Sequence, residues 1–174
     1  EKLVKSAPGL PGSTSDRPVS FVDLAPTTLS LAGVDIPQGM QGRAFLGEQT
    51  QEAAPYVFLF GQRFDARMLR FVRAVTDGQY RYIRNFNPHR HRGILAGYPH
   101  SQSGWRSFYA LQQAGKTDAT QSSFWKVPQP VEELYDTQDD PWEVTNLAGD
   151  PAHAKRLEAM RAATFETMKK IRDT

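Results

Sequence analysis

The chain has no cysteine among its 174 residues, which excludes disulfides, thiol nucleophiles and Cys-ligated zinc. It has no apolar run near the ~18 residues that a membrane-crossing helix needs, so no membrane partner is expected. The opening residues, Glu1-Lys2-Leu3-Val4-Lys5-Ser6, lack both an initiating Met and an apolar signal core, and the chain is therefore expected to begin inside a longer protein. Internal repeats and low-complexity tracts are also missing. Charge of one sign is absent from two stretches. Residues 78–116 hold no acid but carry Arg81, Arg84, Arg90, Arg92, Arg106 and Lys116. Residues 127–154 hold no Lys or Arg but carry Glu132, Glu133, Asp136, Asp139, Asp140, Glu143 and Asp150. Such asymmetry fits either an anionic ligand beside the basic stretch or pairing of the two stretches with each other. A net charge of only +2 argues against a nucleic-acid partner.

A hydrophobic content of 39% with 12 Pro and 13 Gly suits a loop-rich globular protein, and the length suits one domain or one domain plus a piece of another. Residues 1–18, rich in Pro, Gly and Ser, read as a connector. Val19-Ser20-Phe21-Val22 alternates toward a short strand. Asp23 can then cap a helix over residues 24–32, with a stripe of Leu24, Thr28, Leu29, Leu31 and Ala32; Pro26 falls in its first turn, and Gly33 ends it. Residues 55–60, rich in aromatic and branched side chains, predict a strand. Residues 71–75 and 79–84, joined through Asp77-Gly78, predict a hairpin, because Asp-Gly supplies the positive φ of a tight turn.

Residues 85–115 are interrupted by Pro and Gly yet hold Tyr98, Trp105, Phe108 and Tyr109, which argues against disorder; a short helix is expected over residues 105–113. Leu134-Tyr135 between acids predicts one more strand, followed by a turn at Asp139-Asp140-Pro141. Asp150-Pro151 then opens a helix over residues 151–172, whose stripe is Ala154, Leu157, Met160, Thr164, Met168 and Ile171. The expected fold class is α+β: a small antiparallel sheet of about four strands packed with a C-terminal helix.

Residues 132–151 closely resemble the "E-L-Y-D … D-P-x-E … N-L-A" passage near the C-terminus of type I sulfatases, members of the alkaline-phosphatase-like superfamily. The agreement runs through Glu133, Leu134, Tyr135, Asp136, Asp140, Pro141, Glu143, Asn146, Leu147 and Ala148. Residues 19–46 resemble the family's "V-D-x-x-P-T-x-L-x-L-A-G" helix and the Gly-rich turn after it, and residues 71–85 its "Y-R/K-Y-I-R-N" hairpin. The resemblance covers the chain from about Pro18 to its end and is nearest the bacterial sulfamidase-like branch. It implies that residues 1–50 close the large catalytic domain, as a strand–helix remnant, and that residues 51–174 form the C-terminal subdomain.

The family hydrolyses sulfate esters or sulfamates with a formylglycine made in a C/S-x-P-x-R motif and a divalent cation, here expected to be calcium. The nearest string, Ser6-Ala7-Pro8-Gly9-Leu10, has Leu where Arg belongs. The resemblance thus implies that formylglycine and cation lie in a missing N-terminal catalytic domain. That domain and a sulfated small molecule or sugar are the expected partners, and no catalytic or metal-ligating residue is assigned to this chain. The isolated chain is expected to be inert. After Phe60-Gly61 the sequence departs from the branch, reading Gln62-Arg63-Phe64-Asp65 where an acidic cluster is typical.

Arg63, His89, Arg90, His91 and His100 are the candidate substrate-binding residues, since an Arg/His-rich stretch without acids suits an anionic sugar. His89-x-His91 with His100 also offers imidazole ligands for Zn²⁺ or Ni²⁺, but no fourth ligand has a recognisable spacing. The competing expectation is a non-catalytic binding module for anionic glycans or a partner protein.

Overall fold

The computed structural model describes residues 14–61, 71–93 and 100–173. Arg63 and the Ser6–Leu10 string lie outside these residues. Four strands, β1 (Val57–Gly61), β2 (Val72–Thr76), β3 (Tyr80–Asn85) and β4 (Glu132–Asp136), form an antiparallel sheet in the order β1-β2-β3-β4. Among the described residues four helices accompany them: α1 (Leu24–Ala32), α2 (Ser103–Gln113), α3 (Ala119–Ser123) and α4 (Ala154–Ile171). The expected α+β class and strand number are found. The hairpin forms where Asp77-Gly78 placed it: Gly78 takes φ 102°, and the Asp77 carboxylate accepts the N–H groups of Gln79 and Tyr80 at 3.0 and 2.7 Å.

Register decides which residues share a face. Val75 pairs with Tyr82, and Tyr82 with Leu134, so these three point to one side, and α4 covers them. Leu157, Met160, Thr164 and Met168 of α4 are buried at helical spacing. Among the described residues Val75, Tyr80, Tyr82 and Leu134 of the sheet and Leu157 and Met160 of α4 make a core cluster, in which Val75, Tyr82, Leu134 and Met160 have no exposure. Asp150 caps the approach to α4 by accepting the Ala152 N–H at 2.8 Å, as its place before Pro151 predicts. At the other end Asp173 pairs with Arg73, whose guanidinium lies 4.0 Å from the Phe71 ring centroid, so the helix is fastened at both termini.

Charge completes this face. The Glu132 carboxylate accepts a two-pronged bond from Arg161 of α4, at 2.6 and 2.8 Å, and the Tyr82 hydroxyl at 2.6 Å. Arg161 and Tyr82 together hold the Glu132 carboxyl below its ordinary pKa, the guanidinium contributing most. Asp173 is held low in the same way by Arg73. A folded-state pKa below the unfolded value contributes stability that is present above the unfolded pKa and lost as pH falls through the folded one. Thermal stability should therefore fall on acidification below about pH 4, near the ordinary Glu pKa. The Glu132→Gln variant should show a shallower fall in melting scans at pH 5, 4 and 3, and parallel curves would refute the assignment.

The outer edge of β4 is not left bare. The Asn146 side chain accepts the Leu134 N–H at 2.9 Å and donates to the Glu132 carbonyl at 3.1 Å, standing in for a neighbouring strand. This gives a structural reason for the Asn that follows the strand and turn.

Two expectations need correction. Val19–Val22 does not form a strand; Phe21–Asp23 is a single 3₁₀ turn. No neighbouring strand pairs with it among the described residues, and the Asp23 carboxylate accepts the Ser20 N–H at 2.9 Å, so the backbone closes locally. The stripe of α1 is not an inward face either. Pro26, Thr27 and Ser30 are buried instead, with Thr27 accepting the Phe45 N–H and Ser30 the Gln49 N–H. Leu24 and Leu31 face outward beside Phe21, which is 91% exposed. The short helix α3 was not anticipated. It has the Asp118–Gln121 reciprocal cap, but five residues are too few to show a period.

Candidate functional site

The sheet's other side carries polar chemistry. Glu133, one register step from Leu134, points away from α4 and has no exposure. Its carboxylate accepts Asn85 at 2.6 Å, the Tyr135 hydroxyl at 2.5 Å, and the guanidinium of Arg92. Arg92 also donates to the Gln129 side chain at 2.9 Å, while Gln129 donates to the carbonyls of Ser123 and Lys126. Two backbone bonds complete the clasp: Arg92 N–H to the Phe124 carbonyl at 2.9 Å, and Gln129 N–H to the Pro88 carbonyl at 2.7 Å. A buried carboxylate on β4 thus holds the loop of residues 86–93 and the end of α3 together. Burial and the Glu133 hydrogen bond both push the Tyr135 hydroxyl pKa up, so Tyr135 stays a neutral donor.

What the clasp holds is an aromatic lobe. Trp105, Phe108 and Tyr109 of α2 meet Phe124 and Trp125 just past α3, with Trp125 5.5 Å from Phe108 and 5.3 Å from Tyr109 between ring centroids. Gly93 lies flat against the Trp125 indole, where any Cβ would overlap the ring. The His91 ring centroid is 5.4 Å from that of Trp125, and His100, just before α2, is 6.3 Å from Tyr109. The structure therefore brings His91 and His100 onto one cluster. His89 and Arg90 are exposed at the turn of the same loop.

The charge asymmetry resolves in part as pairing. Arg81 meets Glu143 at 2.5 Å, Arg84 meets Glu132 at 3.6 Å, and Arg92 meets Glu133. Each joins the acid-free stretch to the base-free one. Glu143 adopts φ 53°, an uncommon conformation for a side-chain-bearing residue, and its turn is held by a bond from its N–H to the Asp140 carbonyl at 3.0 Å. Among the described residues no three His, Asp or Glu side chains gather as a metal-binding group. Trp125 and Glu133 were not among the candidates. The period of two that separates Glu133 and Tyr135 from Leu134 was available as a signal that both share the face opposite the core.

No family model matches the chain. An ulvan-active sulfatase of Formosa agariphila is 35% identical over 153 residues, which make up 87% of this chain and 26% of that protein. Human N-sulphoglucosamine sulphohydrolase is 29% identical over 182 residues, covering 92% of this chain and 35% of that protein. Among solved structures, a 2-O GAG sulfatase superposes with a TM-score of 0.61 at 23% identity, over 92% of this chain and 27% of that one. A protein in complex with its substrate D-glucosamine-2-N,6-O-disulfate gives a TM-score of 0.52 at 19% identity, over 87% of this chain and 24% of that one. These two likenesses bear on the fold. The curated relatives are sulfatases, and the coverage is that of a C-terminal sulfatase portion. The chain spans only 26% to 35% of the length of the curated relatives it matches.

Proposed function

We propose that this chain is the C-terminal part of an enzyme that hydrolyses sulfate esters or sulfamates of a sugar-like substrate. Residues 1–50 then finish the large catalytic domain, and residues 51–174 form the subdomain packed against it. The observation that carries this reading is the clasped loop of residues 86–93 together with the sulfatase kinship. A fully buried carboxylate fixes the loop that carries His89, Arg90 and His91, with His100 against Tyr109 on the neighbouring lobe. Together with Arg63, these residues form one part of the rim of the substrate pocket and meet anionic groups of the substrate. The outward apolar side of the Phe21–Leu31 segment suits burial against the large domain.

Formylglycine and a divalent cation, calcium in this reading, belong to the part of the enzyme outside this chain. There the formylglycine would supply the nucleophile for hydrolysis at sulfur, and the cation would offset the charge of the sulfate. The chain by itself is inert.

In the enzyme that contains this chain, alanine at Arg63, His89, Arg90, His91 or His100 should raise KM or lower kcat for a sulfated sugar by roughly tenfold where a charged hydrogen bond is lost. Unchanged kinetics for all five variants would refute the rim assignment. Turnover of a sulfate ester by the 174-residue chain would refute its inertness.

A further inference from the structure

Gln129 lies between α3 and β4 and is only 4% exposed, although glutamine is mostly a surface residue. It has no place in the core cluster between the sheet and α4. Its side chain is engaged at both ends of the amide. The oxygen accepts Arg92 Nε–H at 2.9 Å, and the nitrogen donates to the carbonyls of Lys126 and Ser123 at 2.5 and 3.2 Å. A guanidinium only donates and a carbonyl only accepts, so these partners admit one orientation of the amide. The Gln129 backbone N–H adds the bond to the Pro88 carbonyl at 2.7 Å. Pro88 and Arg92 are the residues that flank His89, Arg90 and His91. One buried residue therefore grips both ends of the segment that carries three of the candidate substrate-binding side chains.

The approach to that segment is fixed separately. The Phe86 N–H donates to the Phe71 carbonyl at 2.9 Å, the Asn87 side chain accepts the Phe71 N–H at 2.8 Å, and the Arg90 N–H closes a turn onto the Asn87 carbonyl at 3.1 Å. On the far side Glu133 supplies the charge that holds Arg92, and Gln129 supplies direction. A charge opposite Glu133 would keep the side chain there at many angles; the second bond, from Nε–H to Gln129, selects one. Buried polar groups that are fully satisfied make a rigid and unique arrangement.

We propose that Gln129 is a positioning residue: acting through Pro88 and Arg92, it sets where His89, Arg90 and His91 stand at the rim of the substrate pocket. This role rests on the rim reading above and adds to it a residue that touches no substrate. Loss of Gln129 shifts the rim without removing a rim side chain, so it weakens substrate binding and spares the chemistry at sulfur.

Two variants of the enzyme that contains this chain test the role. Gln129→Met keeps a side chain of similar length and loses the acceptor and both donors. Arg92→Lys keeps a positive charge opposite Glu133 and loses the Nε–H that Gln129 accepts. The substrates are glucosamine N-sulfate and glucosamine 6-O-sulfate, one a sulfamate and one a sulfate ester. KM should rise about tenfold in each variant, because small misplacements of substrate contacts are costly, with kcat little changed. A merely structural role would lower the folded fraction, and so the apparent kcat, and leave KM alone. Hydrogen exchange read by mass spectrometry should be faster across residues 86–93 in both variants and unchanged across α4. Unchanged exchange across residues 86–93, or unchanged KM in both variants, would overturn the role of Gln129.

His89→Ala and Arg90→Ala tell that failure from failure of the rim reading. If they raise KM while Gln129→Met and Arg92→Lys do not, the rim stands and Gln129 does not position it. If none of the four changes KM, or if the unmodified enzyme turns over neither sugar, the rim reading fails and the role of Gln129 falls with it.

Discussion

Glu133→Ala should destabilise the chain by about 3–5 kcal/mol, because it removes one partner of a buried ion pair and leaves the other uncompensated. For a chain of this size the melting temperature should drop by roughly 10 °C. The lost carboxylate takes away a bond from Arg92, Asn85 and the Tyr135 hydroxyl at once. The pair itself need not be a net gain over an apolar core, so a double-mutant cycle separates the two effects. Glu133→Leu combined with Arg92→Met should cost clearly less than the sum of the single changes. A loss below 1 kcal/mol for Glu133→Ala, measured by denaturant unfolding, would mean that the clasp does not hold the loop.

Leu134→Ala, one residue along, should cost a similar amount for a different reason. Leu134 has no exposure and packs among Tyr82, Leu157 and Met160, between the sheet and α4. Truncating a buried Leu costs about 2–5 kcal/mol, through lost transfer energy and the cavity left behind. Phe21→Ala is the built-in comparison. Phe21 is 91% exposed, so in this chain the change should fall within about 0.5 kcal/mol of zero. If both substitutions prove equally mild, the core lies elsewhere.

The sequence disclosed most where chemistry is local. The Asp77-Gly78 turn, the Asp150-Pro151 cap and the Gly33 stop each act within a few residues, and the structure contains all three. It disclosed least where a partner decides. Val19–Val22 has the composition of a strand, but a strand needs a neighbour to take its backbone groups. The α1 stripe has helical spacing, but spacing does not say which side is covered. The site of His91 depends on Trp125, 34 residues away in sequence, and no periodicity links such positions. The charge asymmetry was visible as composition, yet only the register of β3 with β4 set Arg84 beside Glu132.

The aromatic lobe has its own ring-on-ring contacts and is joined to the sheet chiefly through Arg92 and Gln129. The packing of the lobe and the packing of the sheet on α4 are therefore carried by separate sets of side chains. The rings of α2 can be exchanged without touching Val75, Tyr82, Leu134 or Met160, which hold the sheet to α4. A lineage built on this scaffold is free to rewrite lobe positions while the strand that carries Glu133 stays as it is.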